Sequence, residues 1–205
     1  MNKILLIDGH SILNRAFYGV PPLTNFEGLH TNAVYGFINI MLKSLEDEHA
    51  DYIAVAFDLK APTFRHEMFA EYKGTRKPMP QELHEQVPVI KEVLAAMTIP
   101  VITLEGYEAD DILGTLAKRC QRDGFEVSIL SGDRDLLQLA DEHIKIRMPK
   151  TVKGQTSIEN YYPSDVIDKY QVTPEEFIDL KALMGDSSDN IPGVPGIGEK
   201  TATAI

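Results

Sequence analysis

Five short apolar runs punctuate the chain, at Ile4–Ile7, Ile53–Phe57, Pro100–Thr103, Val127–Leu130 and Ile144–Met148. Most are continuous rather than alternating, the pattern of strands covered on both faces. Segments with helical spacing separate the first four. Thr31–Glu48 puts Val34, Phe37, Ile38, Met41, Leu42 and Leu45 on one face. Glu85–Met97 and Ala109–Arg122 share that period, and Asp135–Asp141 is a shorter stretch of the same kind. Strands alternating with helices predict an α/β fold, with a mostly parallel central sheet flanked by helices.

After about residue 150 the texture changes. Thr173-Pro174-Glu175-Glu176 reads as a helix start, with Thr173 as cap, Pro174 in the first turn and Glu176 closing a capping box. That helix is expected to run to about Met184 and to stop at Gly185. A segment rich in Gly, Pro and Asp follows, GDSSDNIPGVPGIGEKTA. There is no internal repeat and no low-complexity tract.

With 205 residues and 43% hydrophobic content, the chain can bury one large core, with room for a small appendage. Its single cysteine, Cys120, permits no internal disulfide and reads as a small core residue in a reducing compartment. The apolar run in MNKILLIDGH is too short for a signal peptide, and no stretch is long enough to span a bilayer. The chain therefore reads as soluble and cytoplasmic.

The net charge of −11 argues at first against a nucleic-acid partner. Its distribution changes that. Residues 60 to 77 carry Lys60, Arg65, Lys73, Arg76 and Lys77 against Glu67 and Glu71. The stretch 61–88 is too long for an ordinary connection, which marks it as functional or disordered. Phe64, Phe69 and Tyr72 interleave with the cations, a mixture suited to single-stranded DNA as well as to a solvated basic face. The sequence leaves open whether Tyr72 stacks on a base or packs inward.

The acids are placed more tellingly. Asp8 follows the first strand directly, and Asp58 the second. Glu108, Asp110 and Asp111 follow the third at a helix start, and Asp133 and Asp135 follow the fourth through Ser131-Gly132. In a parallel sheet these carboxyl ends share one edge, where open α/β folds place their ligands. Taken singly, such an aspartate is as readily a turn residue or a cap. Four strand ends with the same feature point instead to a shared crevice. Seven carboxylates there need positive charge, and hard divalent cations, Mg²⁺ or Mn²⁺, suit an all-oxygen set. Two such ions about 4 Å apart form the clamp used in phosphodiester hydrolysis.

Together, LIDGHSILNRAFYG, AFDLKAPTFRHEMFAEYKGTRKPMP, GYEADDILGTLA, SGDRDLLQL and GDSSDNIPGVPGIGEKTA resemble, in order, the N-terminal 5′ nuclease domains of bacterial DNA polymerases, relatives of the flap endonucleases. The resemblance covers essentially the whole chain. It implies a PIN-like or 5′-nuclease-like fold and a nuclease acting on DNA with a free 5′ end or flap. It carries over Asp8, Asp58, Glu108, Asp110, Asp111, Asp133 and Asp135 as metal-site acids, with Asp8 and Asp133 central to catalysis. It adds Asp186 and Asp189, which strand-end reasoning does not reach. It implies a helical arch at 61–88, with Lys73 and Arg76 on the scissile phosphate and Arg65, Tyr72 and Lys77 as further DNA contacts.

Gly193-Val194-Pro195-Gly196-Ile197-Gly198-Glu199-Lys200-Thr201 nearly matches a P-loop, but Glu199 holds the lysine position and no strand precedes it. It better resembles the hairpin of a helix–hairpin–helix element. Gly193, Gly196, Gly198 and Lys200 would then meet duplex DNA, with K⁺ as a companion ion in that family. The expected organisation is an α/β core at 1–160 and a helical subdomain at 161–205. The resemblance implies more chain beyond Ile205, with covalently linked polymerase domains, so the sequence reads as a fragment whose DNA grip is cut short. Two rivals stand beside this reading. One is a DNA-binding module of the same fold without catalysis. The other is an aspartyl phosphatase, which wants Asp-x-Asp where this chain has Asp8-Gly9-His10. His10 and His30 read as locally structural.

Overall fold

The structure is a computed structural model that describes residues 1–152 and 155–205. β1 (Lys3–Asp8) leads into α1 (Gly9–Gly19), and α2 (Asn32–Glu48) returns the chain to β2 (Tyr52–Ala56). A long crossing carries α3 (Phe64–Met68), α4 (Gln81–His84) and α5 (Gln86–Ala96) before the two-residue β3 (Val101–Ile102). Then come α6 (Ala109–Arg122), β4 (Glu126–Leu130), a 3-10 helix at Arg134–Leu139, β5 (Ile144–Val152) and β6 (Gln155–Tyr161). The helices α7 (Pro163–Tyr170), α8 (Glu176–Met184) and α9 (Glu199–Ala202) complete the order.

The sheet runs β3-β2-β1-β4-β5-β6. Its first five strands are parallel and β6 is antiparallel to β5. β1 lies between β2 and β4, with Asp8 opposite Ala56 and Ile7 opposite Leu130. This register brings the ends of three strands side by side. Side chains alternate between two buried layers. Leu5, Ile7, Val55 and Phe57 pack with Phe37, Met41 and Leu94 on one face. Leu6, Ala54, Ala56 and Ile129 pack with Leu113, Leu137 and Tyr161 on the other. Both faces are covered, so the strands read as unbroken apolar runs.

All five expected strands are present, though the third shrinks to Val101–Ile102. The stretch expected as a helix over Asp135–Asp141 is a 3-10 helix at Arg134–Leu139. Thr173 and Glu176 form the expected reciprocal cap, with N–H donors at 2.8 and 3.2 Å from the opposite side chains. Three elements had no sequence forecast. α1 buries only the narrow stripe Ile12, Leu13 and Ala16 beside Gly9. β6 is a polar edge strand, and α7 buries only Val166 and Tyr170. No helix among the described residues is long and apolar enough to cross a membrane.

Behind α8 the chain folds back on itself. Gly185, with φ +71°, ends the helix, and Asp186 and Ile191 exchange backbone hydrogen bonds at 2.9 and 2.8 Å. This brings Gly193 against the helix end: a Cβ there would lie 2.3 Å from the Met184 carbonyl carbon and 2.5 Å from the Gly185 nitrogen. Backbone cannot yield as a flexible side chain can. Gly193→Ala is therefore expected to lower stability by about 1–3 kcal/mol, read as a fall in the urea midpoint. An unchanged midpoint would contradict so close a crossing.

Candidate functional site

Each strand-end acid is fixed by a local hydrogen bond that its own fold supplies. Asp8, the last residue of β1, caps α1 by accepting the Ser11 N–H at 3.1 Å, and its other oxygen accepts the Ser131 hydroxyl at 2.8 Å. Asp58 accepts the Ala109 N–H at 2.7 Å, which ties the exit of β2 to the start of α6, and pairs with His10 Nδ1 at 3.1 Å. Asp133 caps the 3-10 helix by accepting the Asp135 N–H at 2.9 Å. Glu108 caps α6. Capping and site-building thus use the same residues, since a cap occupies one lone pair and leaves others available.

Seven of the nine predicted acids line one open cavity of about 610 Å³: Asp8, Asp58, Glu108, Asp110, Asp133, Asp135 and Asp186. Lys73 and Arg76 line it too. Asp111 turns to a neighbouring cavity, where both Arg65 guanidinium nitrogens hold it at 2.7 and 2.8 Å. It also accepts the Glu108 N–H at 3.0 Å. Asp189 is engaged by the Tyr72 hydroxyl at 3.0 Å and by the Arg76 guanidinium.

The basic segment closes over these acids. Lys73 Nζ sits 2.7 Å from Glu108, and its backbone N–H donates to the Asp189 carbonyl at 2.8 Å. Tyr72 is 5% exposed. Its ring packs edge-on to His66, and its hydroxyl also donates to Glu108 at 2.8 Å, so it faces inward, one of the two placements the sequence left open. The segment is built from turns and the short α3 and α4 rather than one continuous helix. Lys77 lines a second cavity beneath it. Farther on, Gly196 has φ +81°, Gly198 caps α9, and Lys200 lies within that helix.

Four other groups lie around the site that the sequence did not assign to it, one of them, His10, having been read as locally structural. Lys181, on α8, reaches Asp135 at 2.9 Å and Asp186 at 2.6 Å. His10 holds Asp58, Ser131 holds Asp8, and Asn14 lines the cavity. No local spacing signals Lys181, because Asp135 comes from a distant element. Ser131 was visible only as a spacer before Asp133.

Burial pushes the Asp8 carboxyl up to about 6, helped by the charges of Asp58 and Asp133 against the Ser11 and Ser131 hydrogen bonds. Burial, then Asp111 and Glu108, push Asp110 up to about 7, against the nearby Arg65. Burial raises Asp135 as well. At Asp58 burial is outweighed by the His10 and Ala109 hydrogen bonds, and at Asp186 by Lys181 and Ser188, so both stay below the usual carboxylate range. The set suits a divalent cation chemically: the acid donors are all carboxylate oxygens, and several resist ionising without added positive charge. Among the described residues, no three such groups already enclose an ion-sized point. Lys181 bridges Asp135 and Asp186, and Lys73 occupies Glu108, so coordination requires side-chain rotation.

A carboxyl with a raised pKa stabilises the fold while protonated and loses that contribution as pH rises through its folded value. Asp110→Asn should therefore raise stability at pH 8 in EDTA, on the order of 2 kcal/mol. The gain should fade as pH falls from about 7 toward 4. Thermal melts across that range check it, and a gain that grows on acidification would contradict the burial account.

Family comparison fits this geometry. Residues 3–171 match the model for "5′-3′ exonuclease, N-terminal resolvase-like domain", and residues 172–205 match "5′-3′ exonuclease, C-terminal SAM fold". The DNA polymerase I of Bacillus caldotenax and that of Bacillus subtilis are each 56% identical over 203 residues. Those matches cover 99% of this chain and 23% of each relative. A bacteriophage T5 5′-exonuclease with bound zinc superposes with TM-score 0.76 at 25% identity, over 99% of this chain and 74% of that one. A bacteriophage T5 flap endonuclease solved with DNA and metal ions gives 0.78 at 25% identity, with the same coverage.

Proposed function

The chain belongs to the 5′-3′ exonuclease family, and on that footing we propose that it hydrolyses DNA phosphodiesters at 5′ ends or flaps, using divalent cations held by the strand-edge carboxylates. The observation that carries this reading is the meeting of seven acids with Lys73 and Arg76 in one cavity.

Asp8, Asp58, Glu108, Asp110, Asp133, Asp135 and Asp186 are the residues that would hold two ions, with Asp111 and Asp189 behind them. Mg²⁺ is the preferred ion, with Mn²⁺ as a substitute of similar hardness. Such ions, when bound, supply an activated water and neutralise charge on the attacked phosphate and leaving oxygen. The chain's own groups do the rest. Asp8, held from two sides, fixes one wall. Lys73 and Arg76, which line the same cavity as the acids, draw in the phosphate and offset charge as it develops. Lys181 keeps Asp135 and Asp186 close against their repulsion.

DNA grip is assigned to Arg65, Lys77 and the hairpin of Gly193, Gly196, Gly198 and Lys200. Positive φ at Gly196 favours the tight turn that a K⁺ site formed by carbonyls needs. The α/β core is placed at 1–160 and the helical, duplex-facing part at 161–205. Attached polymerase domains fit the relatives' greater length. An enzyme of this kind works in the cytoplasm, where bacterial DNA lies.

Asp8→Ala and Asp133→Ala should each reduce Mg²⁺-dependent cleavage of a 5′-flap duplex by about a thousandfold or more. Lys73→Ala should cost about a hundredfold to a thousandfold. Gel-based cleavage with labelled flaps measures all three. Undiminished cutting by the aspartate variants would sink the assignment, and binding without cutting by the unsubstituted chain would favour a non-catalytic module.

A further inference from the structure

A second cavity, of about 760 Å³, lies under the basic segment and shares His10, Asp58, Lys73 and Arg76 with the acid cavity. Its size falls within the range of about 300–1,000 Å³ typical of small-ligand sites. Its chemistry is the reverse of its neighbour's. Lys60, Lys77 and Lys91 line it, and among the described residues none of the three ammonium groups has a carboxylate partner. In a chain of net charge −11, three cations in one cavity without a carboxylate partner are not a general surface property. The two acids on its wall are already engaged, Asp58 by His10 and Glu108 by Lys73 and Tyr72.

Two of the cations are held in place. Lys60 Nζ lies 2.7 Å from His84 Nε2, joining the exit of β2 to the end of α4. Lys91 lies 4.8 Å from the centre of the buried Phe57 ring, against which His10 also packs edge-on. Leu59, Met79, Val87 and Pro88 supply apolar wall beside them. Phosphate-binding charge and apolar surface thus occur together, as a nucleotide requires.

Resting on the nuclease reading above, we propose that this cavity seats the 5′-terminal nucleotide of the strand being cut, with its terminal phosphate on Lys60 and Lys91. Lys73 and Arg76 line both cavities, so a strand with its scissile phosphate over the acids can continue into this space. When the cut is made at a 5′ end, the short side that a cavity of this size can seat is the 5′ one. The occupant is a terminal phosphate rather than an internal diester on charge grounds. A terminal monoester carries close to two negative charges at neutral pH and a diester carries one. A cluster of ammonium groups not neutralised by carboxylates favours the former.

The test is binding of a duplex with a one-nucleotide 5′ flap, either 5′-phosphorylated or ending in a 5′-hydroxyl, by fluorescence anisotropy with EDTA present. The unsubstituted chain should prefer the phosphorylated end by about tenfold, the worth of one charge-assisted contact. Lys60→Ala with Lys91→Ala should bring the ratio to about one. Lys60→Gln, at an exposed position, keeps the result readable should Lys91→Ala disturb the Phe57 layer, and it should lower the ratio on its own. A ratio of one in the unsubstituted chain, or a full preference surviving in both variants, overturns the seat. Cutting of the same flap in Mg²⁺ is measured alongside. Its loss would overturn the nuclease reading, whereas intact cutting with a ratio of one overturns the seat alone.

Discussion

Because β1, β2 and β4 run parallel and side by side, Asp8, Asp58 and Asp133 emerge next to one another. The α6 start adds Glu108 and Asp110, and the fold-back behind α8 adds Asp186. Their charges meet in a space partly closed to water, where repulsion between carboxylates is strong. Two responses are visible. Asp8 and Asp110 become harder to ionise. Cationic side chains from outside the sheet come in to offset the others, Lys73 from the basic segment and Lys181 from α8. This charge compensation ties the basic segment, whose helix α3 buries no side chain, to the site, while α6 and α8 are also held by the apolar core through Ile112, Leu113, Phe177 and Leu180.

That anchoring has a mechanical consequence. Tyr72, Lys73 and Arg76 all bind Glu108 or Asp189, and Asn190 donates to the Glu71 carbonyl at 2.9 Å. The basic segment, the α6 start and the 186–190 loop are therefore one connected unit around the cavity. A cation that took over Glu108 would loosen Lys73 at the same moment. Metal occupancy and the position of the phosphate-binding groups are coupled through shared oxygens, with no further moving part required.

The core was legible in the sequence because it obeys a simple rule: strands covered on both faces are continuous apolar runs, which marks most of the five, while Ile144–Met148 shows instead as an alternating run. What escaped was marginal in its apolar content. α1 shows a three-residue stripe, β6 lies at a polar edge, and α7 contributes two buried residues. The acids were legible because parallel strands place their ends together, so chain position alone predicts proximity. Lys181 and the His10–Asp58 pair were not, because their partners lie far away in sequence and neither residue type is unusual in a helix. Asp111 shows the limit from the other side. Spacing groups it with Asp110, but successive residues on a helix point about 100° apart, and it faces Arg65 instead.

The same chain treats charge in two opposite ways. Away from the cavities, Glu48 is buried where α2 meets the sheet. It accepts the Ser128 hydroxyl at 2.6 Å and pairs with Lys145 at 2.7 Å and with Arg147. Arg147 also reaches Asp47 at 3.1 Å. Burial alone would raise the Glu48 carboxyl, and these partners hold it below its ordinary value. A buried pair of this kind is costly to break and close to neutral to keep, so it fixes the packing of α2 rather than adding much stability. Around the cavities the balance is left incomplete: acids lacking enough cations on one side, cations lacking acids on the other. Folding gains nothing from that imbalance, since each group would be better placed with its opposite. A ligand carrying both a cation and a phosphate completes both halves at once, so net charge alone says little about what this acidic chain can bind.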